Sequence, residues 1–326
     1  MTTIGKVVLR GTIQLLSALH IGSGQDEWTD MDIVLDHQGN PMIPASSFVG
    51  ALKNSVQLVD GKEQKDLDLF WGSQEQESLL ICSNLTLMSP SPQKEAETDM
   101  IEVRDGVAIN SQTGMAEDKS KFDYQIVPLE SQFELYLEAH YHDEESKILV
   151  LRAMQTLRQL LESCKNPLSI GARSNNGLGQ ICLKDAQMQH FDFEKRPKDV
   201  FTWLSSVEAG KVKIVEENFP SDTKPFDLKL PCNFEINATF HLKTALLIRQ
   251  YLYEAHQPDS RHIRSKGKDL LPGSSLKGAI RKRAERILKT LKTGKNIVKF
   301  DHLFGDVDKK EKTQRKGRLQ VNEQII

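Results

Sequence analysis

Residues 25–32, QDEWTDMD, put four acids into eight positions. A carboxylate in such a loop can act as a general base or hold a hard divalent cation. Asp26, Glu27, Asp30 and Asp32 make this loop the first candidate for chemistry. A hydrated acidic loop that only keeps an edge soluble would read the same way. Two further stretches suit an anion. Pro44-Ala45-Ser46-Ser47 opens a helix, where Ser46 or Ser47 can accept from a free backbone N–H, and such an N-terminus can seat a phosphate. Residues 170–181, IGARSNNGLGQI, supply Gly171, Gly177 and Gly179 for close backbone approach and N–H donation, with Arg173 adding charge. A basic block completes the set. Residues 261–318 hold 19 Lys and Arg against 6 Asp and Glu, in a chain whose net charge is −2. That local excess is the electrostatic footprint of a nucleic-acid partner. Part of it, 308–316, reads equally as a solvated tail.

The elements that must position these residues occur twice. IPASSFVGALK at 43–53 returns as LPGSSLKGAIR at 271–281, offset by 228 positions. In the same order, 12–19 pairs with 239–246, 70–72 with 303–305, and 79–87 with 318–326. An ordered series of this kind means two copies of one domain type. The first copy reads as a strand over 7–21 with a bulge at Gly11, a short strand at 33–35, a helix over 46–58, a charged connector at 60–68 and a strand over 79–88. Arg104-Asp105-Gly106 and Thr113-Gly114 are turn signals within 101–127. A strand at 133–141 and an amphipathic helix over 146–164 follow, with Ile148, Leu151, Leu157, Leu160 and Leu161 as its core side. The expected organisation is a domain over 1–190, a linker over 191–230 with one amphipathic turn near 200–207, and a second domain over 231–326. That second copy reads as a front half only, so its remainder lies beyond this chain or another polypeptide completes its sheet.

With the repeat in view, the sequence resembles the CRISPR-associated RAMP superfamily. The resemblance rests on Leu19-His20-Ile21-Gly22-Ser23-Gly24, on Asp30 to Asp36 followed by Gly39-Asn40-Pro41-Met42-Ile43-Pro44, and on the Ser-Ser-x-x-Gly helix start. Val103-Arg104-Asp105-Gly106-Val107-Ala108-Ile109 and the 171–179 loop extend it. It implies an α+β fold, RRM-like (ferredoxin-like) domains with antiparallel sheets, a β-hairpin thumb at 101–127 and a Gly-rich loop. The chain looks most like backbone subunits of type III effector complexes, which line up along a guide RNA and in several cases cut the paired target RNA. The resemblance then implies a catalytic Asp at Asp30, three residues before Ile33 and six before Asp36. Asp259 is a second candidate, 13 residues before Pro272 where Asp30 lies 14 before Pro44. Mg²⁺ or Mn²⁺ would be held by Asp30 and Asp32. Ser46, Ser47, Lys53, Arg104, Gly171, Arg173, Ser174, Gly177, Gly179, Lys277 and Arg281 would hold RNA, with Met115 as a wedge and Lys121 on a phosphate. Expected partners are guide RNA, target RNA and other subunits of the complex. Two rivals remain: a backbone subunit that binds RNA without cutting, and a guide-processing endoribonuclease using His20 or His262 without metal.

The bulk properties fit these expectations. At 326 residues the chain suits two domains, and 38% hydrophobic with 27% charged residues is an ordinary soluble composition. No apolar run nears the roughly 20 residues that span a bilayer, and no signal peptide is evident, so a cytoplasmic protein with no membrane partner is expected. Cys82, Cys164, Cys182 and Cys232 lack metal-ligand spacing and read as small apolar fillers in a reducing compartment.

Overall fold

A computed structural model describes residues 2–24, 29–88, 100–109, 113, 115–208, 218–229, 234–251, 260–291, 297–308 and 313–326. The first repeat runs β1 (Gly5–Leu15), β2 (Gly22–Gly24), β3 (Asp32–Ile33), β4 (Met42–Ile43), α1 (Ala45–Ser55), α2 (Gly61–Trp71), β5 (Leu80–Cys82), β6 (Leu85–Thr86), β7 (Glu102–Ile109), β8 (Ala116–Ile126), β9 (Gln132–Tyr141), α3 (Glu144–Glu162), β10 (Leu168–Ser169) and β11 (Gln180–Asp192). After α4 (Lys198–Glu208) come β12 (Arg249–Tyr251), β13 (Ser260–His262), β14 (Arg264–Ser265), β15 (Lys268–Leu271), α5 (Gly273–Thr290), α6 (Ile297–Phe304), β16 (Asp306–Asp308), β17 (Thr313–Arg315) and β18 (Gln324–Ile325).

The main sheet is antiparallel, in the order β10-β11-β1-β9-β5. Period-two alternation in β1 sends Val7, Leu9, Ile13 and Leu15 to one face, where β9 adds Phe133, Leu135, Leu137 and Ala139. Phe48 and Leu52 of α1, Leu67 and Phe70 of α2, and Met154, Leu157 and Leu161 of α3 close over that face in a single core. The bulge expected at Gly11 is present, as a register shift against β11 between Arg10 and Thr12. A Cβ on Gly11 would lie 2.8 Å from the Lys184 carbonyl oxygen, so the close approach itself selects glycine.

Several expectations are corrected. The connector at 60–68 is helical: Asp60 caps α2 by accepting from Lys62 N at 2.7 Å, and Leu67, Phe70 and Trp71 anchor the helix in the core. Tertiary burial of its last turn outweighs its charged start. Ile148 is exposed rather than core, because the buried stripe of α3 runs through Val150, Leu151, Met154, Leu157 and Leu161 and Ile148 falls outside it. Arg104-Asp105-Gly106 is not a turn but lies inside β7, paired to β8 as one hairpin. Within 191–230, β11 continues to Asp192, while the amphipathic turn expected near 200–207 is present as α4, which lays Trp203 on the second face of the sheet. There Glu138 accepts from Lys6 at 2.6 Å, Tyr136 at 2.6 Å and Trp203 at 3.0 Å. Burial pushes the Glu138 carboxyl up, but these three donors outweigh it and hold the group below the usual range. Cys164 and Cys182 are not separate fillers; they face each other as a disulfide, with Cα atoms 5.3 Å apart. Cys232 lies outside the described residues.

The repeat is visible as geometry. Pro44 precedes α1 with φ −60° and ψ 137°, and Pro272 precedes α5 with φ −63° and ψ 137°. β4 pairs with β6 through Met42–Thr86 and Ile43–Leu85, and β15 with β18 through Leu270–Ile325 and Leu271–Gln324. The hairpin β2–β3 likewise has its counterpart in β12–β13. Neither helix start uses a serine side chain as a cap, so the capping expected of Ser46 or Ser47 is absent. The extended proline that precedes each helix occupies the cap position. Among the described residues, no helix is long and apolar enough to cross a membrane.

Candidate nucleic-acid interface

The Gly-rich loop is built around a 3-10 turn at Ser174–Asn176, entered and left through left-handed residues, Arg173 at φ 60° and Gly177 at φ 84°. A Cβ on Gly177 would meet Asn322 Cα at 2.6 Å, and one on Gly179 would strike the Ile170 carbonyl. Their amides are committed inside the chain, Gly177 N to Ser174 O at 3.0 Å and Gly179 N to Ala18 O at 2.7 Å. These two glycines therefore shape the loop rather than offer N–H groups to a phosphate. Gly171 stays exposed, and Arg173 and Ser174 are half-buried. The Arg173 guanidinium stacks over Tyr124 at 4.2 Å and Phe122 at 4.9 Å, which ties the loop to the hairpin.

The second repeat brings its cations to this loop. Lys277, on the first turns of α5, donates to Asn175 O at 3.4 Å, and Lys316 donates to Ser174 Oγ at 3.1 Å. Arg281, one turn further along α5, bonds Glu285 at 3.2 Å and Gly305 O at 3.4 Å. Burial, then the charges of Arg281 and Lys316, push the Lys277 ammonium below its ordinary value. A lysine depressed by neighbouring cations is a seat that an anion would relieve. Sequence reasoning left Lys316 open between the basic footprint and a solvated tail. Only the tail's return across Ser174 reveals it, and no local pattern could have.

Arg104, expected on a phosphate, is instead buried. Its Nη1 pairs with Glu323 Oε2 at 2.7 Å, and Glu323 Oε1 accepts from Ala18 N at 3.0 Å. The cause is β18 docking beside β15, which carries the preceding Glu323 into a cleft lined by Arg104, Tyr124, Arg173 and Gly273. Glu323 is a contact at this cleft that sequence reading missed. Glu102 makes a second tie between the repeats, accepting from Ser265 Oγ at 3.1 Å and Lys266 N at 3.0 Å. Ser46 and Lys53 are exposed and Ser47 half-buried on α1, and no described bond joins them to the junction. On the hairpin, Met115 is exposed, and Lys121 pairs with Asp105 at 3.2 Å.

Asp30 is exposed and locked to the hairpin. Asp30 N donates to Asp123 Oδ1 at 2.9 Å, and Asp123 N returns a bond to Asp30 Oδ2 at 3.1 Å. Asp123 is the partner that sequence spacing did not show. Asp32 is buried, with Thr29 donating to its Oδ1, so it does not face outwards to share an ion with Asp30. Asp26 and Asp259 lie outside the described residues. No group of three or more His, Cys, Asp or Glu among the described residues is placed to hold a metal ion. Asp30 and Asp123 each commit one carboxylate oxygen to the other's backbone N–H. Both ring nitrogens of His262 are held by backbone, Nδ1 by Ile248 N at 3.2 Å and Nε2 by Leu270 O at 3.0 Å. His20 is buried, with Nδ1 on Gln125 O at 2.7 Å. Neither is placed as a free acid or base.

Comparison with known proteins follows the same outline. Over 70 residues the chain is 34% identical to the CRISPR system Cms endoribonuclease Csm3 of Methanocaldococcus jannaschii; the match takes in 20% of this chain and spans 28% of that relative's length. Two solved chains of the Type III-B Cmr-beta complex, one bound to cognate target RNA and one in the apo state, superpose with TM-scores of 0.42 and 0.41 at 15% and 16% identity. Each covers 54% of this chain and 96% of its own length, a likeness too slight to bear on function. Residues 12–182 and 239–325, most of both repeats, match the RAMP superfamily, to which this chain belongs.

Proposed function

We propose that the chain is a guide-RNA-binding subunit of a type III CRISPR complex, and that Asp30 supports cleavage of the paired target RNA. The observation that carries the RNA reading is the junction, where Asn175 and Ser174 of the first repeat accept from Lys277 and Lys316 of the second, and Arg281 and Lys316 lie near enough to push the Lys277 ammonium down. Cations that share one seat suit a phosphodiester backbone, whose contacts position rather than read a strand. An RRM-like reading is supported by the order β11-β1-β9-β5 with helices inserted between β1 and β5 and between β9 and β11. Trp203 of α4 lies on the sheet face where RRM aromatics stack bases, which favours RNA at the junction instead.

For cleavage, the 2′-oxygen beside the scissile phosphate must lie in line with the leaving oxygen, and a regular A-form strand holds it off line. The hairpin β7–β8 carries exposed Met115 and at its base fixes Asp30 through Asp123. A strand kinked at the hairpin would thus be presented to a carboxylate already held in place. Asp30 would take the 2′-proton or share a divalent ion with Asp123; the ion, when bound, would supply charge stabilisation at the phosphate.

The test is cleavage of a labelled, guide-complementary RNA by the assembled complex, with Mg²⁺, Mn²⁺ or EDTA. Wild type, Asp30→Ala, Asp123→Ala and Asp259→Ala run side by side. Loss of one cut with RNA binding intact assigns that cut. Retention of every cut in all three variants would leave the chain as an RNA-binding scaffold.

A further inference from the structure

The Gly-rich loop is closed at its base by a covalent bond. Cys164 follows the end of α3 and Cys182 lies in β11, 18 positions on, with Cα atoms 5.3 Å apart. The ring they close holds β10 and all of 171–179. The two sulfurs are placed differently. Cys182 pairs with Gln14 of β1 and has no exposed surface, so it is fixed in the sheet. Cys164 is exposed, and Lys184 Nζ lies 3.4 Å from its Sγ. A cation in contact with a thiol favours the thiolate, the form that exchanges. Cys82, the other cysteine among the described residues, is the opposite case, because burial pushes its thiol up to about 12. Beyond the sulfurs, the arm leaving α3 is held by the buried Leu168 and Ile170 and by a two-residue ladder, Leu168–Ile181 and Ser169–Gln180. The same loop carries the first repeat's half of the junction. Asn175 accepts from Lys277 at 3.4 Å and from Val321 N at 3.2 Å, and donates to Gly317 O at 2.6 Å.

We propose that Cys164 and Cys182 form a reversible redox site that sets how firmly the Gly-rich loop, and through it the second repeat, is held. Oxidation begins with Cys164 as the thiolate. It attacks a low-molecular-weight disulfide such as glutathione disulfide, forms a mixed disulfide and releases one thiolate of the oxidant. Cys182 then loses its proton and attacks the Cys164 sulfur, which closes the ring and releases the second thiolate. The two released thiolates take up the two protons that the cysteines lose. Two protein thiols thus become a disulfide, and the oxidant becomes two thiols. Reduction runs the same steps backwards, starting at the exposed Cys164 sulfur. Closing the ring removes open conformations of 165–181 and so favours the docked loop. Neither step involves RNA, so the switch stands whether or not the chain binds it.

For the test, the full chain is equilibrated at varied ratios of glutathione to glutathione disulfide, quenched in acid, alkylated after unfolding and mapped by mass spectrometry. The peptides carrying Cys164 and Cys182 are expected to pass reversibly from the disulfide to two alkylated thiols as glutathione rises. Cys82 is expected to be alkylated throughout. Amide hydrogen exchange is then read in each state. Reduction is expected to speed exchange over 168–181 by at least about tenfold. Val321, whose N–H bonds Asn175, should follow it, while β1 and β9 keep their rates. Cys164→Ser, a change at an exposed position, is expected to exchange like the reduced chain at every ratio. A pair that stays wholly disulfide or wholly thiol across the range overturns the proposal. Equal loop exchange in the two states overturns it too, as does a Cys164→Ser chain that responds to the ratio as wild type does.

Discussion

Ile13 and Phe240 occupy the same place in two copies of one pattern, and they differ in nearly everything that matters to stability. Ile13 sits opposite Phe133 on one side and Leu183 on the other, with no exposed surface. Phe240 has the same alternation around it and is 71% exposed. By contrast the Pro44 and Pro272 junctions, and the small ladders beside them, agree almost to the degree. Local sequence reproduces a local turn faithfully. Whether an apolar strand becomes core depends on which layer arrives to cover it.

The largest expected effect comes from cutting the link between the copies. Glu323→Ala leaves buried Arg104 with only Glu102, 4.0 Å away, to offset its charge, and chemical denaturation should show a loss of up to about 3–5 kcal/mol. Replacing both residues with apolar ones of similar volume, Arg104→Met with Glu323→Leu, should recover most of it; an equal loss in the double variant would mean the pair is not what joins the repeats. Next comes the matched truncation. Ile13→Ala should cost about 2–5 kcal/mol through a core cavity, and Phe240→Ala in the free chain less than about 0.5 kcal/mol. Equal costs would show that the second strand is covered after all.

A third test uses a group with no counterpart among the described residues of the second repeat. His190 is buried against Tyr141 Oη at 2.8 Å, and burial, followed by the charges of Arg196 and Lys147, lowers its pKa to about 4. Its folded pKa lies below the ordinary histidine value, so the stability it contributes is present above about pH 6.5 and is lost as pH falls towards 4. Melting temperature should drop across that window, and His190→Gln should flatten the drop. A slope unchanged by the substitution would assign it to other groups. The smallest effect is expected at the junctions themselves. Ser46→Ala and Ser274→Ala should each change stability by less than about 0.5 kcal/mol, since neither hydroxyl caps its helix. A loss near 1 kcal/mol at either would reveal a cap that forms in solution.

Much of this architecture is written in short-range patterns. The repeat, the strand and bulge of β1 and the proline-led helices follow from alternation, turn residues and spacing, which act over a few residues, whereas the hairpin at 101–127 was implied by the family resemblance. The loop at 171–179 was legible as glycine-rich, but not the reason for its glycines. That reason is steric and distant: Gly177 lies against Asn322, and Gly179 against the Ile170 carbonyl. Asp30 was singled out, whereas Asp123, its partner across 93 residues, was not. α2 was missed because its polar first turn masks a last turn that packs into the core.

By itself the sequence determined the two copies, their order and the local backbone at each helix start, because those depend on dihedral preferences and side-chain periodicity within one segment. Only the tertiary structure decided that Arg104 faces Glu323 rather than solvent, that Lys316 returns to Ser174, and that one apolar strand is buried while its twin is bare. Each of those depends on which distant surface comes within contact range, and desolvation and charge pairing act only once it has.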